Sequence, residues 1–193
     1  MGIADNIKKI QKSRLKLFEV QDIKKLLEIK KDNTAYKVIS SLIKNEVIIK
    51  VRKGLYYTAV KPPADFEIAN KIYSPSYVSL ESALNIYGIL RQFPYSVTSV
   101  TFKKPRRFTS SGKVYEYARV DRSLYFGFTK KDVFLIAYPE KALIDAIYLT
   151  AKGFRKFNFD ELDYSKIDKK KFQRWCAKIK HRPFMNLLKR IKI

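Results

Sequence analysis

Glycine is scarce in this sequence: six residues in 193, at positions 2, 54, 88, 112, 127 and 153, never clustered. A loop that cradles phosphates needs several glycines within one turn, so phosphate loops of that kind are excluded. Cys176 is the single cysteine and His181 the single histidine. They cannot supply the four nitrogen or sulfur ligands of a structural zinc site, and no internal disulfide can form. Such cysteine usage fits a reducing compartment. Long apolar runs are missing too. VFLIAY at 133–138 is far too short to cross a bilayer, and the N-terminal MGIADNIKKIQKS has no apolar signal-peptide core. The sequence therefore predicts a soluble, cytoplasmic protein that needs no membrane, metal or cofactor. Catalytic signatures are also absent: no nucleophile, base and orienting group stand out as a set. Glu140 and Lys141 lack the Glu-x-Lys spacing of metal-dependent nucleases, because Ala142 stands two after Glu140. Glu140 reads as a first-turn carboxylate favoured by the helix dipole, and Asp145 as a surface or hydrogen-bonded residue. No enzyme is expected.

Acidic residues are few as well: 18 Asp and Glu face 41 Lys and Arg, for a formal charge of +23. Heat adaptation usually raises Glu together with Lys, which is not the pattern here. An excess of this size attracts polyanions, and a nucleic acid is the partner it favours. Residues 1–60 carry 14 basic and 6 acidic side chains, 61–149 carry 13 and 8, and 150–193 carry 14 and 4. Two basic regions thus flank a milder middle. The 46% hydrophobic content, with 13 Phe and 13 Tyr, argues for folded cores throughout.

Helical spacing marks a first helix over 4–13 with Ile7 and Ile10 inward, then a connector in which Leu15, Leu17 and Phe18 can pack. A second helix runs from about Gln21 to Glu28. Asp32 or Asn33 caps a third, whose apolar stripe is Ala35, Val38, Ile39 and Leu42, with Ile43 beside it. Its other face presents Thr34, Tyr36, Lys37, Ser40, Ser41 and Lys44. From Val47 the period changes to two: VIIKV, a tight turn at Arg52-Lys53-Gly54, then LYYTA, with Gly54 suited to a positive φ. Three helices followed by a hairpin describe a winged helix-turn-helix. In that arrangement the third helix reads the major groove, with Asn33, Thr34, Tyr36, Lys37, Ser40, Ser41 and Lys44 as candidate contacts. Lys50, Arg52, Lys53 and Gly54 form the wing, which neutralises phosphates. The bland alternative is a helical hairpin with solvated charges, but residue types, spacing and wing coincide against it.

KPPAD at 61–65 is the only double proline and reads as a stiff break. The expected organisation is α+β: a winged helix-turn-helix over 1–61, then a mixed α/β domain over 65–193. The second part shows a helix at 66–73 with Phe66, Ala69, Ile72 and Tyr73 on one side. A second follows in SLESALNIYGI, ending at Gly88. Strands are expected at 96–102, 113–120, 123–128 and 132–138. Pro139 opens a helix with Leu143, Ile147 and Tyr148 buried. Two tail helices, around Phe172, Trp175, Cys176 and Ile179 and around Phe184, Leu187, Leu188 and Ile191, are expected to pack on the middle strands.

YVSLESALNIYGI (77–89), VTSVTFKKPRRF (97–108) and AYPEKALIDAIYL (137–149), in this order behind a wing ending in KGLYY, resemble the AbiEi family. These are antitoxins of AbiE-type (type IV) toxin–antitoxin systems, which serve in phage defence and also include AbiEi-like transcriptional regulators. The resemblance covers roughly residues 18–150, with the Pro-Glu-Lys segment its most specific part. It implies a bifunctional protein whose winged helix binds its own promoter DNA and autorepresses the operon. Its C-terminal domain would counter an AbiEii-like nucleotidyltransferase toxin, with no need for a stable complex between the two. Carried over by position, DNA reading falls on Thr34, Tyr36, Lys37 and Ser40 of the helix and on Lys50, Arg52 and Lys53 of the wing. Pro139 to Asp145 carries over as a landmark only.

Three other readings stay open: a regulator whose C-terminal domain senses a small molecule, a direct protein inhibitor of the toxin, and an RNA-binding protein that uses its basic C-terminal faces with Tyr and Phe for stacking.

Overall fold

A computed structural model describes residues 2–191 of the chain. Among these, eight α-helices and two β-sheets make a mixed α+β fold. The chain divides into two compact units, one ending at Ile68 and the other starting at Ala69. The division falls inside helix α4 (Asp65–Ile72), later than the KPPAD break. Its cause is local. The carbonyl of Ala64 already accepts from the N–H groups of Glu67 (2.9 Å) and Ile68 (3.1 Å), so the prolines lead straight into a helix. No helix among the described residues is long and apolar enough to cross a membrane.

The first unit runs α1 (Ile3–Lys12), β1 (Leu17–Glu19), α2 (Val20–Leu26), α3 (Asp32–Lys44), β2 (Ile48–Arg52) and β3 (Leu55–Thr58). Its core gathers Ile10, Phe18, Ile23, Leu27, Ile39, Leu42, Val47, Ile48 and Tyr56, with Ile7, Val38 and Ile43 packed around them. The connector is a correction to the sequence reading. Leu17 and Phe18 do pack, but as a strand antiparallel to β3, giving a sheet of order β1-β3-β2. Leu15 stays exposed. Neither Asp32 nor Asn33 caps α3. The N-cap is Lys31, no side chain caps it, and the Asp32 carboxylate pairs instead with Lys24 at the end of α2.

Both α2 and α3 end in a Schellman turn. Glu28 takes φ +57° and Glu46 φ +55° at the position after the cap. The N–H of Ile29 then reaches the carbonyl of Lys24 (2.8 Å), and that of Val47 the carbonyl of Leu42 (3.0 Å).

The second unit is built on a six-stranded sheet of order β6-β7-β5-β4-β9-β8. Its strands are β4 (Tyr77–Val78), β5 (Ser96–Thr101), β6 (Arg106–Ser110), β7 (Lys113–Arg119), β8 (Phe128–Lys131) and β9 (Phe134–Ala137). β5 and β7 are parallel, as are β4 and β9, and the other pairs run antiparallel. The short strand β4 was not expected, and two longer segments also differ from expectation. β6 escapes the sequence pattern because KKPRRF is too charged to read as a strand. As an edge strand it keeps Arg106 and Arg107 in solvent. SLYFGF is not a strand: Arg122–Leu124 form a 3-10 turn, Gly127 sits at φ +72°, and pairing begins only at Phe128.

Helices α5 (Leu80–Ile86) and α6 (Pro139–Ala151) pack on each other, α5 also against β5 and α6 also against β9. The tail helices α7 (Lys169–Cys176) and α8 (Arg182–Leu188) pack chiefly on α6, where the sequence suggested the middle strands. Surrounded in this way, α6 is buried at every position from Glu140 to Leu149.

Candidate nucleic-acid interface

Helix α3 is held by one face. Ala35, Ile39 and Leu42 are buried, and the helix packs on α1, α2 and β2. At 3.6 residues per turn, Asn33, Lys37, Ser40 and Lys44 recur at i, i+4, i+7 and i+11, so they make one stripe opposite the core. All four are exposed. Tyr36, 45% exposed, flanks the stripe on one side and Thr34 on the other. Ser41 departs from the set. It is half-buried, and its carbonyl accepts from the backbone (3.0 Å) and the side-chain amide (2.8 Å) of Asn45. With 13 residues, α3 offers an outward edge of about 20 Å.

The hairpin brings the remaining candidates to its tip. Lys50 and Lys53 are exposed. Gly54 takes φ +82°, with open space around an added Cβ, so it is the backbone conformation that requires glycine there. Arg52 is half-buried, and its guanidinium donates to the carbonyl of Lys53 across the turn at 2.8 Å. That bond braces the turn. The register shifts between Lys50 and Arg52, which twists the strand just before the tip. The exposed stripe of α3 and the hairpin tip are therefore both cationic, and both belong to the first unit.

The second unit holds a buried cluster around Asp145, the residue read from sequence as surface or hydrogen-bonded, and hydrogen-bonded is what it is. Lys141 is 0% and Asp145 1% exposed, one helical turn apart on α6. The Lys141 ammonium pairs with one Asp145 oxygen and donates to the Tyr77 hydroxyl at 2.9 Å. Tyr77 (3.0 Å) and Ser79 (2.8 Å) both donate to the other oxygen of Asp145. The Phe126 ring lies over the ammonium at 5.2 Å. Burial pushes the Lys141 ammonium down and the Asp145 carboxyl up, while the attraction between them opposes both shifts. Tyr77 rises through burial and then through the Asp145 charge. Every polar atom here faces another within the cluster, so its chemistry is to fasten α6 to β4 and not to meet a substrate. The i, i+4 spacing of Lys141 and Asp145 was the legible signal. Glu140 does stand in the first turn of α6, as read from sequence, but it is only 4% exposed, forms an ion pair with the Lys171 ammonium at 2.9 Å and accepts from the N–H of Asp168 at 3.2 Å.

Among the described residues, no group of three or more His, Cys, Asp and Glu side chains could hold a metal ion. No known protein-family model matches the chain, and no curated protein matches it.

Proposed function

We propose that the first unit is a winged helix-turn-helix that binds its own promoter, and that the whole chain is an autorepressing antitoxin of the AbiEi type. The observation that carries the DNA reading is the outward stripe Asn33, Lys37, Ser40 and Lys44 on a helix whose opposite face is fully committed to a core. A side chain with no packing duty can be specified by a ligand instead. An amide, a hydroxyl and two ammonium groups in a row suit base edges flanked by phosphates. Lys50 and Lys53, with Arg52, provide charge for the neighbouring backbone. The antitoxin half of the reading rests on the AbiEi resemblance of residues 77–89, 97–108 and 137–149. The partner there is an AbiEii-like nucleotidyltransferase toxin.

The full chain carrying Lys37→Ala and Ser40→Ala tests the reading. Specific promoter binding should weaken by about 1–3 kcal/mol per good base contact, and more than binding to random DNA. Stability should stay within about 0.5 kcal/mol, since both side chains are exposed. Equal loss on both DNAs would mean that α3 does not read sequence. Changing Lys50 and Lys53 to Ala should instead lower affinity alike on all sequences. The log–log salt slope should then fall by roughly 0.9 for each phosphate no longer neutralised. In cells, the Lys37 and Ser40 variant should lose autorepression yet still protect against the toxin. Loss of protection would tie the two activities together and contradict the proposed division of labour.

A further inference from the structure

A groove of about 600 Å³ lies wholly within the second unit, where β6 and β7 meet the end of α6. Its apolar floor is Leu149 with Ala118, and Phe154 stands at its wall with 70% of its surface exposed. Four arginines line it: Arg106, Arg107, Arg119 and Arg155. The last is built in. Its guanidinium is held by Glu81 at 3.0 and 3.2 Å and by Glu116 at 3.5 Å, so α5, β7 and the segment after α6 meet on one side chain. Arg107 stands 3.7 Å from Glu116, its partner across the β6–β7 ladder. Arg106 and Arg119 are different. Both are exposed, and among the described residues neither forms an ion pair. The β6–β7 ladder ends at Arg106 opposite Tyr117, and Arg119, two residues further along β7, is paired with Thr101 of β5 on its other side. Asp121, near enough for Arg119 to help hold its carboxyl low, is already engaged by Tyr148 and Lys152.

An exposed ring beside an apolar floor, next to two uncommitted guanidinium groups, matches a ligand with one flat apolar face and one anionic end. Two exposed arginines would be poor neighbours for a purely apolar ligand, and an isolated inorganic anion would leave Phe154 without a role. The volume lies in the range of small-molecule sites, about 300–1,000 Å³. We propose that this groove binds a nucleotide, with its base on Phe154 and its phosphate on Arg106 and Arg119. The same chemistry can come from a free nucleotide or from one residue of a single-stranded RNA. The proposal goes beyond the promoter-binding reading and does not depend on it, because no residue of the first unit takes part.

The test uses the full chain with two probes: ATP without metal, by calorimetry, and a fluorescein-labelled ten-nucleotide oligo(A) RNA, by anisotropy. At least one should bind. Phe154→Ala should weaken that binding about tenfold, the usual scale for one stacked base, without moving the melting temperature. Arg106→Ala with Arg119→Ala should weaken it too and, for the RNA, lower the salt slope by roughly 0.7 per phosphate released. Inorganic phosphate serves as the base-free control, and any binding of it should be indifferent to Phe154→Ala. Lys37→Ala should leave both probes unaffected, which separates this site from the promoter interface. ATP binding without RNA binding assigns the free nucleotide as the ligand, and RNA that ATP does not displace assigns the polymer. Binding of neither probe overturns the proposal, as does binding indifferent to Phe154→Ala and to the double arginine variant.

Discussion

The two units treat charge in opposite ways. The first has an apolar interior, Ile10 through Tyr56, and keeps its lysines and arginines on or near the surface. The second draws Glu140, Lys141 and Asp145 into its interior around α6. A charge outside a core can be specified by a ligand at no cost to folding. A charge inside must be answered by another group of the same chain, and the cluster around Asp145 is answered three times over. The ionic groups of the second unit's interior therefore belong to the fold, whereas those of α3 are free to serve a partner.

The hardest test of this contrast is Asp145→Ala. It leaves the Lys141 ammonium buried and the Tyr77 and Ser79 hydroxyls without their acceptor. Breaking a buried pair from one side costs about 3–5 kcal/mol. Trp175 is the only tryptophan and sits in the second unit against Phe126 and Tyr138, so its fluorescence in urea reads this unit alone. Lys141→Met combined with Asp145→Leu should cost less than Asp145→Ala, because no charge is left stranded. A double variant as unstable as the single one would show that the ion pair is not what the hydroxyls depend on.

Why the first unit was more legible than the second, despite the missed strand β1 and the missed cap of α3, follows from the same contrast. In α3 the sequence pattern has a single cause, an apolar core on one side, and the 3.6 period exposes it. The positive φ of Gly54 and the helix start at Pro139 were legible because each has only one physical origin. Around α6 the pattern has several causes. α5, β9, α7 and α8 cover different sides, so Glu140, Lys141 and Asp145, polar by type, are interior by position. β6 was illegible for a related reason: an edge strand needs little apolar surface, and in RRF only Phe108 supplies it, against Tyr73 and Tyr117. The groove residues come from two distant segments, the β6–β7 hairpin with Arg107 and Glu116 and the turn with Phe154 and Arg155, which meet only through the fold.

A smaller effect separates a surface charge of the second unit from the buried ones. The Asp121 carboxyl is held below its ordinary 3.8, first by the Tyr148 hydroxyl and then by Lys152, with burial acting against them. A lowered carboxylate adds stability above its unfolded value, and that stability disappears as pH falls through the folded one. Asp121→Asn should therefore melt below the unaltered chain at pH 7, and the gap should close as pH falls below 3.8. Asp145 has the opposite sign, raised by burial, but it is common to both proteins and cancels in the difference. A gap that stays constant down to pH 2 would mean that Asp121 acts through shape and not through charge.

The last difference is in how the units end their helices. The first places Glu28 and Glu46 in the left-handed position after α2 and α3, whereas the second places Gly88 and Gly153 there after α5 and α6. The hydrogen bonding is the same: Val47 reaches Leu42 in one unit at 3.0 Å, and Phe154 reaches Leu149 in the other at 2.9 Å. A left-handed residue with a Cβ costs roughly 1–2 kcal/mol. Glycine avoids that but gives the unfolded chain about 0.4–1 kcal/mol of extra freedom. At Glu46 a further term applies, since a carboxylate at a helix C-terminus opposes the dipole by about 0.3–1 kcal/mol. The strain and dipole terms together exceed the entropic one, so Glu46→Gly should stabilise the first unit by about 1 kcal/mol. Gly153→Ala meets no atom within 4 Å, so only backbone strain counts, and it should destabilise the second unit by about 0.5–1 kcal/mol. Urea midpoints of the two variants should move in opposite directions, with the second read through Trp175. If Glu46→Gly also lowered stability, the Glu46 side chain would have to be making a contact worth more than its strain.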